Sequence, residues 1–447
     1  MNQAAAILAV LATLGVLMGA IRLLQTRRGL HPESARKLVH LSMGAVTLSF
    51  PWLFDSAWPV GILAAGATLA LLAVKHFGPL RRAIGGVLHE VDRESSGEIC
   101  FPVGVFAVFY LAAGNAVLYC IPILLLTVAD ALAALIGVRY GKSAFTTYAG
   151  GTKSVEGCVA FFVAAFFCTH VTLLLATPVG RLESLVIGLN IGLLIMLVEL
   201  VSWRGLDNLF IPLSSFAMLY QIGSLPAQDI VLRLAVLCLL ALFVAIWRRR
   251  ATLDTSALIV AVLGGYVLWA IGGMKWLLPA AFCFASYAVL WPAVRNQQGQ
   301  IHDLRAVLSI CSVGLFWLLV QMQYPSFDWS YLGALAFAVQ LALIGHATWD
   351  PVPSDALSWR PFTRCLLAGW LVPLVPYALI IGTDARSLLL LALSGPPIAL
   401  ALMFYSLRWR NLRADPFSTE RWLTQSVAGI VGTLLGMPAW VYLEMQR

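Results

Sequence analysis

Charge is what this chain has least of. Of its 447 residues only 11% are Asp, Glu, Lys or Arg. A soluble globular protein has about 25%, so water is excluded as the main solvent. Alternation of polar and apolar residues is also missing. The apolar runs are continuous, which excludes a transmembrane β-barrel. The eight cysteines (Cys100, Cys120, Cys158, Cys168, Cys238, Cys283, Cys311 and Cys365) are scattered through apolar stretches and form no CxxC pair. That removes structural zinc and a disulfide framework and leaves free, buried thiols as the expectation. There is no G-x-x-x-x-G-K-[ST] loop and no H-E-x-x-H helix, and the isolated Ser and His residues give no nucleophilic triad. No basic stripe interleaved with aromatics occurs, so the net charge of +8 carries no nucleic-acid reading. The stretch from Met1 to Ala20 has no basic residues before it, and no Arg- and Ser-rich transit sequence is visible. It is expected to be a retained first span that starts outside, not a cleaved signal peptide.

What is present is hydrophobic. Apolar residues make up 60% of the chain, and the mean hydropathy is +0.87. Runs suited to membrane helices recur from 4–24 to 422–442. At about 20 residues each they predict an all-α, polytopic integral membrane protein of roughly 14–16 spans. The segment 208–223, which contains Pro212 and two serines, is the weakest of these. It is expected as a helix or as a half-helix buried by protein. Basic residues collect in alternate loops: Arg22 to Lys37, Lys75 to Arg93, Arg139 to Lys153, Arg204, Arg248 to Arg250, Arg295 with Arg305, Arg360 with Arg364, and Arg408 to Arg413. The positive-inside rule puts all of them on the cytoplasmic side, most simply of a bacterial inner membrane. The chain divides near residue 225. Polar residues within or beside spans cluster in 1–225, whereas 226–447 reads as plain apolar helices rich in Trp and Leu.

An ionisable residue inside a span is a functional candidate by default, and several such constellations stand out. Glu33, Lys37, His40 and Gly44 lie at offsets 0, 4, 7 and 11, one face of a helix. Arg36 and Lys37 can equally be an interfacial collar, with Pro32 in the first turn. Asp130 stands in an otherwise apolar run, and Asp130, Ala134, Gly137 and Gly141 repeat the same offsets. The small residues admit either a ligand or another backbone beside the carboxylate. Magnesium suits such a carboxylate, because it takes one or two carboxylates plus phosphate oxygens. The run Gly150-Gly151-Thr152-Lys153-Ser154-Val155-Glu156-Gly157 opens the next span. Its free N–H groups and Lys153 suit phosphate. An ordinary capped helix start, with Lys153 and Glu156 as a surface pair, is the alternative. Arg93-Glu94…Gly97-Glu98 precedes a further span. Glu199 lies within one, and Asp207-Asn208 follows it as a second metal or nucleotide contact or as a turn.

In this order and spacing, these motifs resemble the phytol kinase and dolichol kinase family, which is related to the phosphatidate cytidylyltransferases. The resemblance covers about residues 30–215. It rests on Glu33…Arg36-Lys37…His40…Gly44, Arg93…Gly97-Glu98, Asp130…Gly137…Gly141-Lys142, Lys153-Ser154-Val155-Glu156-Gly157 and Gly205-Leu206-Asp207-Asn208…Pro212. It implies an integral membrane enzyme that phosphorylates a long-chain isoprenoid alcohol, with CTP as donor and a divalent metal. On that reading Asp130 and Asp207 hold Mg2+, and Lys153, Lys142, Arg36 and Lys37 neutralise phosphate. Gly137, Gly141, Thr152, Ser154, Glu156, Gly157 and Asn208 complete the nucleotide site. Asp207, Glu199 or His40 accepts the hydroxyl proton. A cytidylyltransferase acting on a lipid phosphate and an isoprenoid-phosphate transporter are the alternatives. The segment Ala257–Leu290 is similar to the start of the phytyl-phosphate kinase family, and His346-Ala-Thr-Trp349-Asp350 to its acidic motif. Where that family's Gly-Thr-Ser-Gly-type loop is expected, this chain has Ala368-Gly369-Trp370, which implies a degenerate second domain.

Overall fold

The computed structural model describes residues 2–29, 32–76, 97–146, 152–247, 253–290, 302–349, 359–382, 384–412 and 418–445. They are helical almost throughout. Ten helices among them are long and apolar enough to cross a membrane, and three shorter apolar helices cover Ala57–Ala73, Gly97–Ala112 and Met274–Ser286. The chain is therefore an all-α, polytopic integral membrane protein. Among the described residues, the segments expected as spans fall mainly on helices, with short breaks such as 113–115 within 101–117. All eight cysteines are free; Cys120, Cys158, Cys283 and Cys365 are buried, whereas Cys238 is exposed.

Two compact units divide the chain, Met1–Leu239 and Leu240–Arg447. The first contains α1 (Gln3–Arg28), α2 (Pro32–Leu48), α3 (Phe50–Leu53), α4 (Ala57–His76) and α5 (Gly97–Ala112). It continues with α6 (Ala116–Tyr140), then α7 (Val155–Ala176), α8 (Arg181–Val201), α9 (Asp207–Ile222) and the start of α10 (Ala227–Trp247). An antiparallel hairpin joins α6 to α7, with β1 (Ala144–Thr146) against β2 (Thr152–Ser154) and Phe145 opposite Lys153. Local sequence sets the helix starts. Asn115 Oδ1 accepts the N–H groups of Val117 and Leu118 to open α6. Ser154 Oγ accepts that of Gly157 at 3.1 Å to open α7. Short polar side chains satisfy these otherwise unpaired donors.

Two irregularities matter for the site. Pro122 lies inside α6, and shortly after it Leu125–Ala129 forms a π-helical turn that ends at Asp130. Such turns are rare and concentrate at functional positions. The segment 208–223 forms one continuous helix, α9, that runs through Pro212. Proline has no N–H to donate to the carbonyl four residues back, here Asn208. α5 packs against that carbonyl through Gly104, where an added Cβ would stand 2.5 Å from Asn208 O.

The second unit holds the rest of α10 and then α11 (Thr255–Gly272), α12 (Met274–Leu290), α13 (Leu304–Gln323) and α14 (Ser330–Trp349). After these come α15 (Trp359–Ile381), α16 (Ala385–Leu393), α17 (Gly395–Leu412) and α18 (Thr419–Glu444). α14 is its axis, packed by α12, α13, α15, α17 and α18. Contrary to a plain apolar reading, a buried polar pair crosses this core: Gln425 Nε2 donates to Gln340 Oε1 at 2.9 Å. Trp317, Trp329 and Trp440 stack on one another in the same unit. Ala368-Gly369-Trp370 lies inside α15, where an added Cβ on Gly369 would stand 2.6 Å from Ala338 O. This stretch is a helix-packing contact, not a loop.

Candidate active site

The expected face of α2 is real. Lys37, His40 and Gly44 meet α6 at and just before Asp130. Lys37 Nζ donates to Asp130 Oδ2 at 2.8 Å, with both side chains about nine-tenths buried. His40 Nε2 lies 2.9 Å from the Leu126 carbonyl and 3.7 Å from Asp130 Oδ2. Gly44 passes so close to Thr127 that a Cβ there would stand 2.1 Å from its Oγ1. Helical periodicity puts all three on the π turn. The backbone of Glu33 is helical, but its side chain lies outside the described residues, as do Arg93, Glu94, Gly150, Gly151 and Asp350. Arg36 is half-buried beside Lys37.

Lys153 reaches from β2 to the end of α8. Its Nζ donates to Glu199 Oε1 at 2.8 Å and also to the Glu199 backbone carbonyl. The surface pairing with Glu156 is not made. Glu156 instead accepts the backbone N–H of Ser143 at 3.3 Å and so fastens the hairpin. Lys142 and Thr152 are exposed on that hairpin. Gly137, Gly141 and Gly157 let α6 and α7 touch: a Cβ on Gly157 would stand 3.0 Å from Ala133 O, and one on Gly141 2.8 Å from Ser154 Cβ. Close backbone packing accounts for small residues here without a ligand.

The third acidic residue follows a strained turn. Arg204 has φ 52° and Gly205 φ 84°, so the chain passes through two consecutive left-handed residues before α9. A left-handed conformation is uncommon for a side chain such as Arg and is held by its surroundings. It delivers Asp207, whose Oδ1 accepts the Asn208 N–H at 2.9 Å, while Asn208 Nδ2 donates to Gly97 O at 2.8 Å. Asn208 therefore ties the start of α9 to the start of α5. A Gly104→Ala substitution collides with the same point. It is expected to cost about 1–3 kcal/mol and to displace Asp207. A lower unfolding midpoint in detergent, together with reduced turnover, is the result to look for.

These groups form one electrostatic cluster. Asp130 feels Lys37, His40 and Lys153, and Asp207 feels Asp130, Lys153 and Lys37. Glu199 feels Lys153, Asp130 and Asp207. Three carboxylates face two lysine ammonium groups, and buried charge needs a partner. Asp130 and Glu199 each hold a lysine. Asp207 has no ion pair among the described residues. The cluster therefore holds one carboxylate more than it has lysine ammonium groups. Among the described residues, no group of three or more His, Cys, Asp or Glu is placed to hold a metal by itself. The sequence reading missed the π turn and the strained Arg204. Pro122 was the available signal for the first.

A comparison with characterised proteins bears on this cluster. The chain is 33% identical over 213 residues to a phytol kinase of Synechocystis sp., an alignment that takes in 88% of that protein and 46% of this chain. The chain belongs to the phytol kinase family. No family model and no solved structure matches it. At the level of the family it is a prenol-type lipid kinase. The buried Lys37–Asp130 and Lys153–Glu199 pairs join four residues that the motifs singled out.

Proposed function

We propose that this protein transfers the γ-phosphoryl group of a nucleoside triphosphate, CTP by family resemblance, to the hydroxyl of an isoprenoid alcohol lying in the membrane. The observation that carries this reading is the charged cluster of Lys37, Asp130, Lys153, Glu199 and Asp207, three of them buried, in a chain of the phytol kinase family. Phosphoryl transfer asks mainly for positioning and charge neutralisation, and the cluster supplies both. Asp130, held by Lys37, would carry the divalent ion that neutralises the donor's phosphates. Lys153 stabilises charge on the transferring group, with Lys142 and Arg36 at the nucleotide's approach. The alcohol oxygen forms a bond to the γ-phosphorus as the bond to the β–γ bridging oxygen breaks.

Asp207 accepts the hydroxyl proton. Glu199 is committed to Lys153, and Asp207 Oδ1 is committed to the Asn208 N–H, which leaves Asp207 Oδ2 for the task. By the positive-inside rule, the basic loops support a site at the cytoplasmic face of a bacterial inner membrane, where nucleotides are available. The second unit is assigned no transfer chemistry, because the loop such chemistry would use is replaced by helix at Gly369.

The purified protein, supplied with CTP, Mg2+ and a panel of phytol, geranylgeraniol, farnesol and undecaprenol, should release CDP and form an alcohol monophosphate. Release of pyrophosphate with a CDP-lipid would make the protein a cytidylyltransferase instead. Transport of an isoprenoid phosphate that survives Asp130→Ala would make it a carrier.

A further inference from the structure

His40 was one of three residues able to take the hydroxyl proton on chemical grounds. Its surroundings give it a different task. Its Nε2 lies 2.9 Å from the carbonyl oxygen of Leu126. A carbonyl can only accept, so Nε2 carries the proton and donates it. The same nitrogen is the one facing Asp130, at 3.7 Å from Oδ2. The atom nearest the reactive carboxylate is therefore already protonated and occupied. The carbonyl it serves lies within the π turn Leu125–Ala129 that ends at Asp130. Where a helix ladder shifts register, a carbonyl leaves its usual partner, and buried carbonyls need one. The imidazole also packs in a T-shaped contact with Phe101, with ring centroids 5.2 Å apart.

Building on the kinase reading, we infer that His40 is a positioning residue: its Nε2–H latches the π turn of α6 and thereby aims the Asp130 carboxylate, with no proton passing through the ring. Lys37 and Gly44, one turn to either side on the same face of α2, make the neighbouring contacts with Asp130 and Thr127. The imidazole is the central rung of three.

Three substitutions separate latch from base. Gln places an amide nitrogen near the site of Nε2 and can donate to Leu126 O, but it cannot take a proton from an alcohol. The Asn amide is one bond too short to reach. Ala removes the donor. Misplacement of a catalytic group by about 1 Å costs on the order of 10²-fold. His40→Ala and His40→Asn should therefore lose about 10²-fold in kcat with little change in the alcohol KM, and His40→Gln should recover to within about 5-fold of wild type. Equal loss in the Gln and Ala variants, both monodisperse in detergent, would overturn the inference, because a base is lost equally in each. Wild-type kcat in His40→Ala would overturn it as well. A second readout needs no turnover. In 15N-histidine-labelled protein, the His40 resonance, assigned by its disappearance in His40→Gln, should report a protonated Nε2 at neutral pH; a bare Nε2 contradicts the latch. Absence of alcohol phosphorylation in the wild type would strike the proposed function and leave this spectroscopic result readable.

Discussion

Asp130→Asn lowers the rate of alcohol phosphorylation by about 10³-fold, the upper range for loss of one preorganised electrostatic group, while the protein still inserts and purifies as wild type does. Asn keeps the shape of Asp and still accepts from Lys37, now at 2.8 Å from Asp130 Oδ2, so the helix contact survives and only the charge is lost. Asp130→Ala is a poorer probe. It leaves Lys37 buried with neither a counter-charge nor an acceptor, and breaking a buried pair on one side costs about 3–5 kcal/mol. The double variant Lys37→Met/Asp130→Leu completes the argument. Replacing both partners by apolar groups restores stability in many proteins. If Asp130 served only to pair with Lys37, that variant would be stable and active. The account expects it to be stable and inactive, with thermal midpoint and turnover measured on the same preparation.

Lys153→Met should cost about 10²–10³-fold in kcat/KM, with the nucleotide KM raised, because the ammonium meets the phosphates in both ground and transition states. Its ground-state partner is Glu199, at 2.8 Å. Glu199→Gln should behave differently. Lys153 loses one acceptor oxygen of Glu199 as a charged partner but keeps the Glu199 backbone carbonyl, and it remains free to turn toward phosphate. A drop of no more than about 10-fold is expected, since Gln still accepts from Lys153 and a neutral acceptor in place of a charged one costs only about 1 kcal/mol. Equal loss in the two variants would mean that the pair is a structural strut and that Lys153 never reaches the nucleotide. Initial rates across a CTP titration decide between the two.

Much of this site could be read from spacing. Lys37, His40 and Gly44 share a face because the helical period requires it, and α2 does present them together to α6. The membrane class followed from composition alone. The pairing of charges was less legible. Asp130 and Lys153 were read as flanking one phosphate ligand, but the partner each holds from another helix, Lys37 and Glu199, was not identified. Which ammonium reaches which carboxylate depends on helix register and rotamer, and neither is written in one segment. The glycines at 137, 141 and 157 were ambiguous for the same reason, since a small residue admits a ligand and a backbone equally, and here α7 fills the space. The π turn was hidden because no side-chain pattern encodes it beyond Pro122. In the second unit, Gln340 and Gln425 escaped notice because each stands alone among apolar neighbours in sequence. Only the fold brings them together across α14 and α18.

The central claim is that the buried carboxylate of Asp130 serves the movement of a phosphoryl group onto a lipid alcohol. It is tested most directly by following γ-32P from labelled CTP in vesicles containing purified wild-type protein and the Asp130→Asn variant side by side, each with a prenyl alcohol and Mg2+. The account predicts label in an extractable alcohol monophosphate from the wild type and essentially none from the variant. Equal labelling by both proteins, or label released as pyrophosphate with none in the lipid monophosphate, would contradict it.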